Sequence, residues 1–284
     1  MKGVFKMNAA KLPASKDVDM AVMHSAEACK AKSHKLVPSE INRNIIDEVL
    51  EIYELKTVFT EQGVSMPNKI LMYGPPGSGK TITAYYLAHM LGLPLILVRL
   101  DTIIGSYLRE TAGNIRKIFD YAIKTPCVFF LDEFVAIARN RTGNRDVQEM
   151  SRVVNTLLQC LDEFQADSIL LAATNLDEEL DTAVWRRFDT KMKYEVPTAS
   201  ERRIYTQKLF DNYEKSQLID DIAHVFATSS FAEMEQIYMK AKRKSILRAT
   251  AITLQHIKEA KEEYMGEPAV RIHFFECSLV LWYR

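Results

Sequence analysis

At residues 72–81 the chain reads Met72-Tyr73-Gly74-Pro75-Pro76-Gly77-Ser78-Gly79-Lys80-Thr81, and this stretch decides the fold. It matches the pattern G-x-x-x-x-G-K-[ST] in full. The apolar run Lys69–Tyr73 before it predicts a buried strand, and Thr81–Leu91 after it predicts an amphipathic helix. The glycines permit a tight turn whose backbone N–H groups can approach an anion, and the helix directs its positive N-terminus at the same point. The stretch therefore predicts a nucleoside triphosphate site.

Two side chains of this loop have predicted roles of their own. Lys80 would reach the β- and γ-phosphates, and the Thr81 hydroxyl would hold Mg²⁺. The residues expected to surround the phosphates are Gly74, Pro75, Pro76, Gly77, Ser78 and Gly79. The alternative is a glycine-rich turn before an ordinary helix, which leaves the strand, the lysine and the threonine together unexplained.

The composition is that of an ordinary globular protein, with 48% apolar and 26% charged residues. The formal net charge is +0, from 37 basic and 37 acidic residues, so there is no strong nucleic-acid signal. No stretch approaches the about 20 apolar residues of a membrane span, and the N-terminus lacks the apolar run of a signal peptide. The cysteines lack C-x-x-C spacing, which favours a reduced setting: Cys29, Cys127, Cys160 and Cys277. We expect a soluble, cytoplasmic protein.

Further short apolar runs alternate with helical patterns after the loop. They predict strands at Leu93–Leu100, Cys127–Leu131, Ser168–Ala173 and Tyr194–Val196. Helices are predicted between them, at Thr111–Ile123 and Val147–Phe164. Because continuously apolar strands separated by helices are typical of parallel sheets covered on both faces, the fold class is α/β. The architecture expected is the αβα sandwich of a P-loop NTPase, with a parallel sheet.

The pattern changes near Thr198, where the strands stop and only helical patterns follow. These helices are predicted at Glu201–Asn212, Asp220–Ala227, Ala232–Leu247 and Thr253–Met265. The predicted organisation has four parts: a partly ordered N-terminal arm at residues 1–36, the nucleotide-binding domain at 37–198, a small all-helical lid domain at 199–265, and an apolar tail at 266–284. In the arm, Val18–Lys32 has the pattern of a weak helix. The tail is compatible with a closing strand, an oligomer contact or a segment packed on the lid.

The strand Val128–Leu131 ends in two carboxylates, the Walker B form. Asp132 would bind Mg²⁺ through a water opposite Thr81, and Glu133 could polarise the water that attacks the γ-phosphate. A strand followed by an acidic helix cap is the alternative. Its position about fifty residues after the loop favours the nucleotide role, because the combination is more specific than either part.

Three more polar side chains extend the predicted site. Asn175 ends the fourth strand, between the loop strand and the acidic strand, where its amide can bond the γ-phosphate or the lytic water. Arg186 and Arg187 follow eleven residues later. Adjacent arginines are usually solvated charges. At this distance from the strand end they are placed to act as an arginine finger on the nucleotide of a neighbouring subunit.

In its order of motifs the chain resembles the AAA ATPases of the AAA+ superfamily. The matching motifs are Gly-Pro-Pro-Gly-Ser-Gly-Lys-Thr, Leu-Asp-Glu, Ala-Ala-Thr-Asn and Arg-Arg-Phe-Asp, within Val37–Met265. The compressed Arg-Arg-Phe is similar to compact single-ring bacterial members and to the microtubule-severing and vesicle-sorting branch. The resemblance implies a homo-hexameric ring with ATP and Mg²⁺ between subunits, with Asn175 as sensor 1 and Arg186 and Arg187 as the finger pair.

Two further segments match the family with departures. Gly105–Thr111 is similar to its pore loop, so Tyr107 and Leu108 would grip an extended polypeptide, although Arg109 replaces a common glycine. An ordinary tyrosine before a helix is the alternative. Ser230–Glu235 is similar to the lid helix start, where Ala232 would contact nucleotide and Phe231 replaces a glycine.

The function predicted is an ATP-hydrolysing motor that remodels, unfolds or disassembles protein substrates by threading them through the ring. An alternative is an ATP-dependent oligomerising switch or scaffold that threads nothing. A phosphotransferase acting on a small molecule is disfavoured by the sensor and finger residues. Because neither H-E-x-x-H nor G-x-S-x-G occurs, degradation would need a separate protease, and a separate adaptor is also expected.

Overall fold

A computed structural model of the chain describes residues 21–100, 108–134, 146–175, 182–210 and 216–266. Within these ranges six strands form one sheet in the order β1-β3-β4-β5-β2-β6. The strands are β1 Ala21–His24, β2 Lys69–Tyr73, β3 Leu95–Arg99, β4 Val128–Asp132, β5 Ile169–Thr174 and β6 Thr190–Lys193. Strand β1 pairs antiparallel with β3, and the other pairs are parallel.

Helices cover the sheet and continue beyond it. They are α1 Ala26–Ser33, α2 Glu40–Glu54, α3 Lys56–Glu61, α4 Lys80–Leu91, α5 Leu108–Lys124, α6 Asp146–Glu163, α7 Thr182–Trp185, α8 Ala199–Leu209, α9 Ser216–Val225, α10 Phe231–Leu247 and α11 Leu254–Gly266. The α/β fold of a P-loop NTPase, followed by helices, is therefore confirmed. None of these helices has the length and apolar character needed to cross a bilayer.

The alternation of side chains along β2 divides the core into two layers. Leu71 packs with α5 and α6, whereas Ile70 and Met72 point to the opposite face and pack with α2 and α4. All six residues of β5 are buried, because this strand lies between β4 and β2 with helices on both sides. The continuous apolar runs in the sequence follow from this double coverage.

The parallel register places the carboxyl ends of the central strands at one edge of the sheet. Tyr73 at the end of β2 lies opposite Thr174 at the end of β5. Strand β4, which ends at Asp132, is the other neighbour of β5. The residue after β5, Asn175, therefore follows a strand between the other two, as the sequence predicted.

Residues 21–36 differ from the loose arm expected at the N-terminus. Val18–Lys32 is not helical throughout, because Ala21–His24 adds an antiparallel strand to the edge of the sheet. Helix α1 then packs on α4 with Cys29 fully buried. Tyr85 on α4 holds both elements: its hydroxyl lies 3.2 Å from His24 Nε2 and accepts a hydrogen bond of 2.9 Å from Lys32 Nζ. This added strand is too short to show a period in the sequence.

The last strand lies earlier than predicted. β6 covers Thr190–Lys193, and Tyr194–Val196 is not part of it. Only Met192 is buried within this edge strand, so its sequence lacks the continuous apolar run used to find the others. Tyr194 is buried behind the loop, where its hydroxyl donates a hydrogen bond of 2.7 Å to Thr83 Oγ1.

The helices after Thr198 form a core of their own. Its buried residues include Tyr205, Phe226, Met234 and Ile257. Two capping boxes start the long helices: Thr198 with Glu201 at α8, and Ser230 with Glu233 at α10. Val37, from the linker between α1 and α2, packs into the same core. Val37 thus connects the linker to the core of the helices after Thr198.

Candidate nucleotide site

The loop between β2 and α4 requires glycine at two positions that have close neighbours. Gly74 has φ 134°, and a Cβ there would lie 2.1 Å from the carbonyl oxygen of Tyr194. Gly77 has φ 72°, and its Cβ would lie 2.8 Å from Ala232 Cβ and from Ser230 Oγ. The left-handed backbone alone disfavours other residues at these positions. The loop is thus pressed between Tyr194, the residue after β6, on one side and the start of α10 on the other.

Lys80, the first residue of α4, is turned back into the loop. Its Nζ donates hydrogen bonds to the carbonyl oxygens of Gly74, at 2.7 Å, and Pro75, at 2.8 Å. Only 8% of Lys80 is exposed. Burial lowers the pKa of its ammonium to about 8, and the charge of Asp132 opposes the shift. A buried cation bonded to neutral carbonyls is suited to receive phosphate oxygens, so the loop fits a triphosphate.

The acidic pair lies at the end of β4. Glu133 adopts a left-handed conformation with φ 54°, which is uncommon for a residue other than glycine. Its backbone N–H donates a hydrogen bond of 3.0 Å to Asp132 Oδ1. Backbone strain of this kind often accompanies functional sites. The Asp132 carboxylate and the Thr81 hydroxyl are both oxygen donors of the type that Mg²⁺ prefers, so this donor set fits the ion.

A cavity of about 310 Å³ joins these parts. Its walls include the following predicted residues: Pro76, Gly77, Gly79, Lys80, Thr81, Asp132, Glu133, Asn175 and Ala232. Gly74, Pro75 and Ser78 shape the loop from behind, where Ser78 Oγ donates to the Pro75 carbonyl at 2.7 Å. Ala232 also donates its backbone N–H to the Gly77 carbonyl at 3.2 Å. The structure therefore brings the loop after β2, the end of β4, the residue after β5 and the start of α10 around one space.

Other walls of the cavity were missed by the sequence reasoning. They are Lys35, Leu36, Val37, Ile82, Tyr205, Phe231 and Glu235. The helices after Thr198 hold this part of the linker through Lys208, whose Nζ donates to the carbonyl oxygens of His34 and Leu36, both at 2.8 Å. No local pattern marks Lys35 and Leu36, which read as the end of a tail without a strong period. The one feature of the sequence that pointed to these walls was Phe231, which replaces a glycine of the family at the start of α10.

The two predicted finger arginines have different surroundings, and neither lines this cavity. Arg187 binds Asp162 in a bidentate manner, with Nε to Oδ1 at 2.8 Å and Nη2 to Oδ2 at 3.0 Å. Its Nη1 also donates to the carbonyl oxygen of Ala183 at 2.6 Å. Arg186 is exposed. Arg187 is therefore anchored in its own chain, whereas Arg186 is presented at the surface.

The predicted pore loop falls largely outside the described part of the chain. Tyr107 lies in the range 101–107, for which no structure is described. Leu108 is the first residue of α5, and its side chain is likewise outside the description. The arm at residues 1–20 and the tail at 267–284 are in the same position. These predictions stay predictions.

Comparison with known proteins agrees with this site. The family model described as "ATPase family associated with various cellular activities (AAA)" matches residues 70–196. The chain is 40% identical over 214 residues to the AAA family ATPase y4kL of Sinorhizobium fredii, covering 75% of this chain and 64% of that protein. It is 32% identical over 246 residues to the proteasome-activating nucleotidase of Methanocella arvoryzae, covering 81% and 58%.

A third relative, the ATP-dependent zinc metalloprotease FtsH of Ureaplasma parvum, is 29% identical over 241 residues. The match covers 81% of this chain and 33% of the protease. The chain thus spans between about one third and two thirds of the length of these relatives.

Proposed function

We propose that the chain is an ATP-driven motor that remodels, unfolds or disassembles proteins, because the model of the AAA ATPase family matches residues 70–196. The observation that carries the proposal is the direct contact between loop and lid. Ala232 at the start of α10 donates to the carbonyl of Gly77, inside the loop that would surround the phosphates. A change in the bound phosphates would therefore move the start of the lid. A motor needs this coupling between its nucleotide and a moving domain.

The polar residues predicted for the phosphate end of the cavity each have a role in the proposed hydrolysis. Lys80 binds the β- and γ-phosphates, and Asn175 orients the attacking water. Glu133 accepts a proton from that water as general base. Thr81 and Asp132 would hold Mg²⁺, which supplies neutralisation of phosphate charge when bound. The remaining charge on the transferring group is stabilised by an arginine from the next subunit.

We further propose a ring of six copies, since neither arginine lines the cavity of its own chain. Two of the relatives are named for proteasome activation and for ATP-dependent proteolysis, which favours protein substrates. A separate adaptor or protease would supply recognition or degradation. Kinship with the severing and vesicle-sorting branch, and a cytoplasmic location, also belong to the proposal.

The depressed pKa of Lys80 predicts how nucleotide binding depends on pH. Bound phosphate favours the ammonium, so its pKa is higher in the complex than the value of about 8 in the free protein. Above pH 8 the free protein must take up a proton to bind ATP. We expect the Kd for ATP to be constant near pH 7 and to rise by up to about tenfold per pH unit above pH 8.

Titration calorimetry between pH 7 and pH 9.5, in two buffers with different ionisation enthalpies, measures both the affinity and the proton uptake. Lys80→Arg is the matched control, because a guanidinium stays charged throughout this range and should remove the pH dependence. A wild-type Kd that does not change between pH 8 and pH 9.5 would contradict the assignment.

The motor is tested at the predicted pore loop. We expect Tyr107→Ala to abolish the stimulation of ATP hydrolysis by an unfolded model substrate, together with the unfolding of a tagged fluorescent protein. Tyr107→Phe, which keeps the aromatic ring, should retain both. The quantity compared is the ratio of stimulated to basal hydrolysis within each variant. Unfolding by Tyr107→Ala at the wild-type rate would rule out the threading role. A wild-type chain that forms rings with ATP and never unfolds a substrate would favour the scaffold.

A further inference from the structure

One part of the cavity has no role in phosphate chemistry. Once the phosphates are assigned to the loop, the acidic pair and Asn175, the remaining walls come from the linker, the lid and one residue of α4. They are Lys35, Leu36, Val37, Ile82, Tyr205, Phe231 and Glu235. Most of these are apolar or aromatic, and they form the kind of surface that receives a planar base. Lys35 and Glu235 are the two charged residues among them.

Glu235 is presented to this space by the geometry of α10. Glu235 follows Phe231 by four residues and Ala232 by three. It therefore lies one turn further along the same face of the helix. The ring of Tyr205 lies 4.8 Å from the ring of Phe231, centroid to centroid. An aromatic pair and a carboxylate therefore share one wall of the cavity.

The carboxylate of Glu235 is held by two donors. Lys35 Nζ donates to its Oε1, across the gap between linker and lid. The hydroxyl of Tyr205 donates to its Oε2 at 3.4 Å. Burial and the neighbouring charge of Glu235 raise the pKa of Tyr205, so this hydroxyl remains a donor. A carboxylate has about four acceptor sites, and these two bonds leave capacity for another donor.

The position of Glu235 is open enough for a ligand to reach it. Its side chain is 34% exposed, and that of Lys35 is 33% exposed. An ionised carboxylate only accepts hydrogen bonds, so it selects a ligand edge that donates. Adenine carries a 6-amino donor on its ring edge, whereas guanine carries a carbonyl acceptor at the same position.

We propose that Glu235 determines the base specificity of the site by accepting a hydrogen bond from the 6-amino group of adenine. Lys35 and Tyr205 also bond this carboxylate, and the preference is set by the free acceptor capacity of Glu235 rather than by either of them. Guanine placed in the same way would set its O6 against the carboxylate, with two acceptors facing each other. The inference rests on nucleotide binding in this cavity and is independent of threading.

The test compares three nucleotides by competition against a fluorescent ATP analogue: ATP, GTP and purine riboside triphosphate, which lacks the 6-amino group. A hydrogen bond to a charged group at a partly exposed site corresponds to about a tenfold preference. We expect the wild-type chain to bind ATP at least about tenfold more tightly than either of the others. Glu235→Gln should reduce the ATP to GTP preference by about tenfold, because an amide can donate to O6 as well as accept from an amine.

Lys35→Met is the matched control. It removes the ion pair and leaves the acceptor in place, so the preference for ATP over GTP should stay within about twofold of the wild type, even where the overall affinity falls. Each preference is a ratio within one variant, so a loss of folded protein cancels. Thermal unfolding of both variants checks that they fold.

Glu235→Gln with the wild-type ratio would overturn the proposal, and so would Lys35→Met with a ratio as low as that of Glu235→Gln. In the second case the ion pair, rather than the acceptor, would set the preference. A chain that selects ATP through Glu235 and never unfolds a substrate would contradict the motor and support the base assignment. Failure of the base assignment can therefore be distinguished from failure of the motor proposal.

Discussion

Glu133→Gln is expected to bind ATP as tightly as the wild-type chain and to hydrolyse it at least about 100-fold more slowly, since general-base catalysis contributes about 10²–10⁴-fold. Glutamine matches glutamate in shape, so the cavity wall is preserved. Its amide cannot accept the proton of the attacking water. The left-handed backbone at this position, with φ 54°, distinguishes Glu133 from the other exposed carboxylates.

The measurement is single-turnover hydrolysis at saturating ATP, with the Kd determined separately. Glu61→Gln makes the same chemical change at the exposed end of α3, outside the cavity walls, and should hydrolyse at the wild-type rate. In the proposed ring the slow variant should also accumulate as an ATP-bound oligomer, visible by light scattering. Hydrolysis by Glu133→Gln within about threefold of the wild type would remove Glu133 from the role of general base.

Arg186→Ala is expected to lower kcat by about 10³-fold or more, the contribution of an arginine supplied from a neighbour, with little change in ATP affinity. The reason lies in the difference between the two arginines. The guanidinium of Arg187 is hydrogen-bonded to Asp162 and Ala183 of its own chain, whereas Arg186 is exposed. Arg187→Ala should instead lower the free energy of unfolding, by about 1 kcal/mol for a half-exposed ion pair.

Mixing inactive subunits tests whether the arginine acts between chains. Lys80→Ala subunits have a damaged pocket and an intact Arg186, while Arg186→Ala subunits have the reverse. Each variant alone should be inactive, and the mixture should recover hydrolysis where an intact pocket meets an intact arginine. Arg186→Lys keeps the positive charge but loses the planar fork, so we expect only partial activity from it. Wild-type kcat in Arg186→Ala, or a mixture without recovery, would refute the assignment.

The difference between the arginines illustrates the limit of sequence reasoning. As adjacent residues they have the same local pattern, and their motif implies only a pair. The distinction arises because Asp162, at the end of α6, meets Arg187 after α7. This contact joins residues 25 positions apart through the packing of two helices. Such a contact leaves no trace in the local pattern of either segment.

The sequence by itself determined the loop at residues 74–81, the acidic end of β4 and the position of Asn175 between them. These features depend on short-range requirements: glycine where the backbone is left-handed, apolar residues where a strand is buried on both faces, and polar residues where parallel strands end. A few neighbouring residues are enough to express each requirement. The order β4-β5-β2 of the central strands then follows from the fold class.

Only the tertiary structure decided which residues complete the cavity around that loop. Lys35 and Glu235 are 200 positions apart, and each reads as an ordinary solvated charge in its own segment. They meet because the lid packs its helices on the linker, through Val37 and Lys208. The same packing presses Ala232 against Gly77. Local propensity specifies the helices and strands. The site lies between the sheet and the helices after Thr198, so it depends on how these two surfaces pack together. No single stretch of sequence encodes that packing.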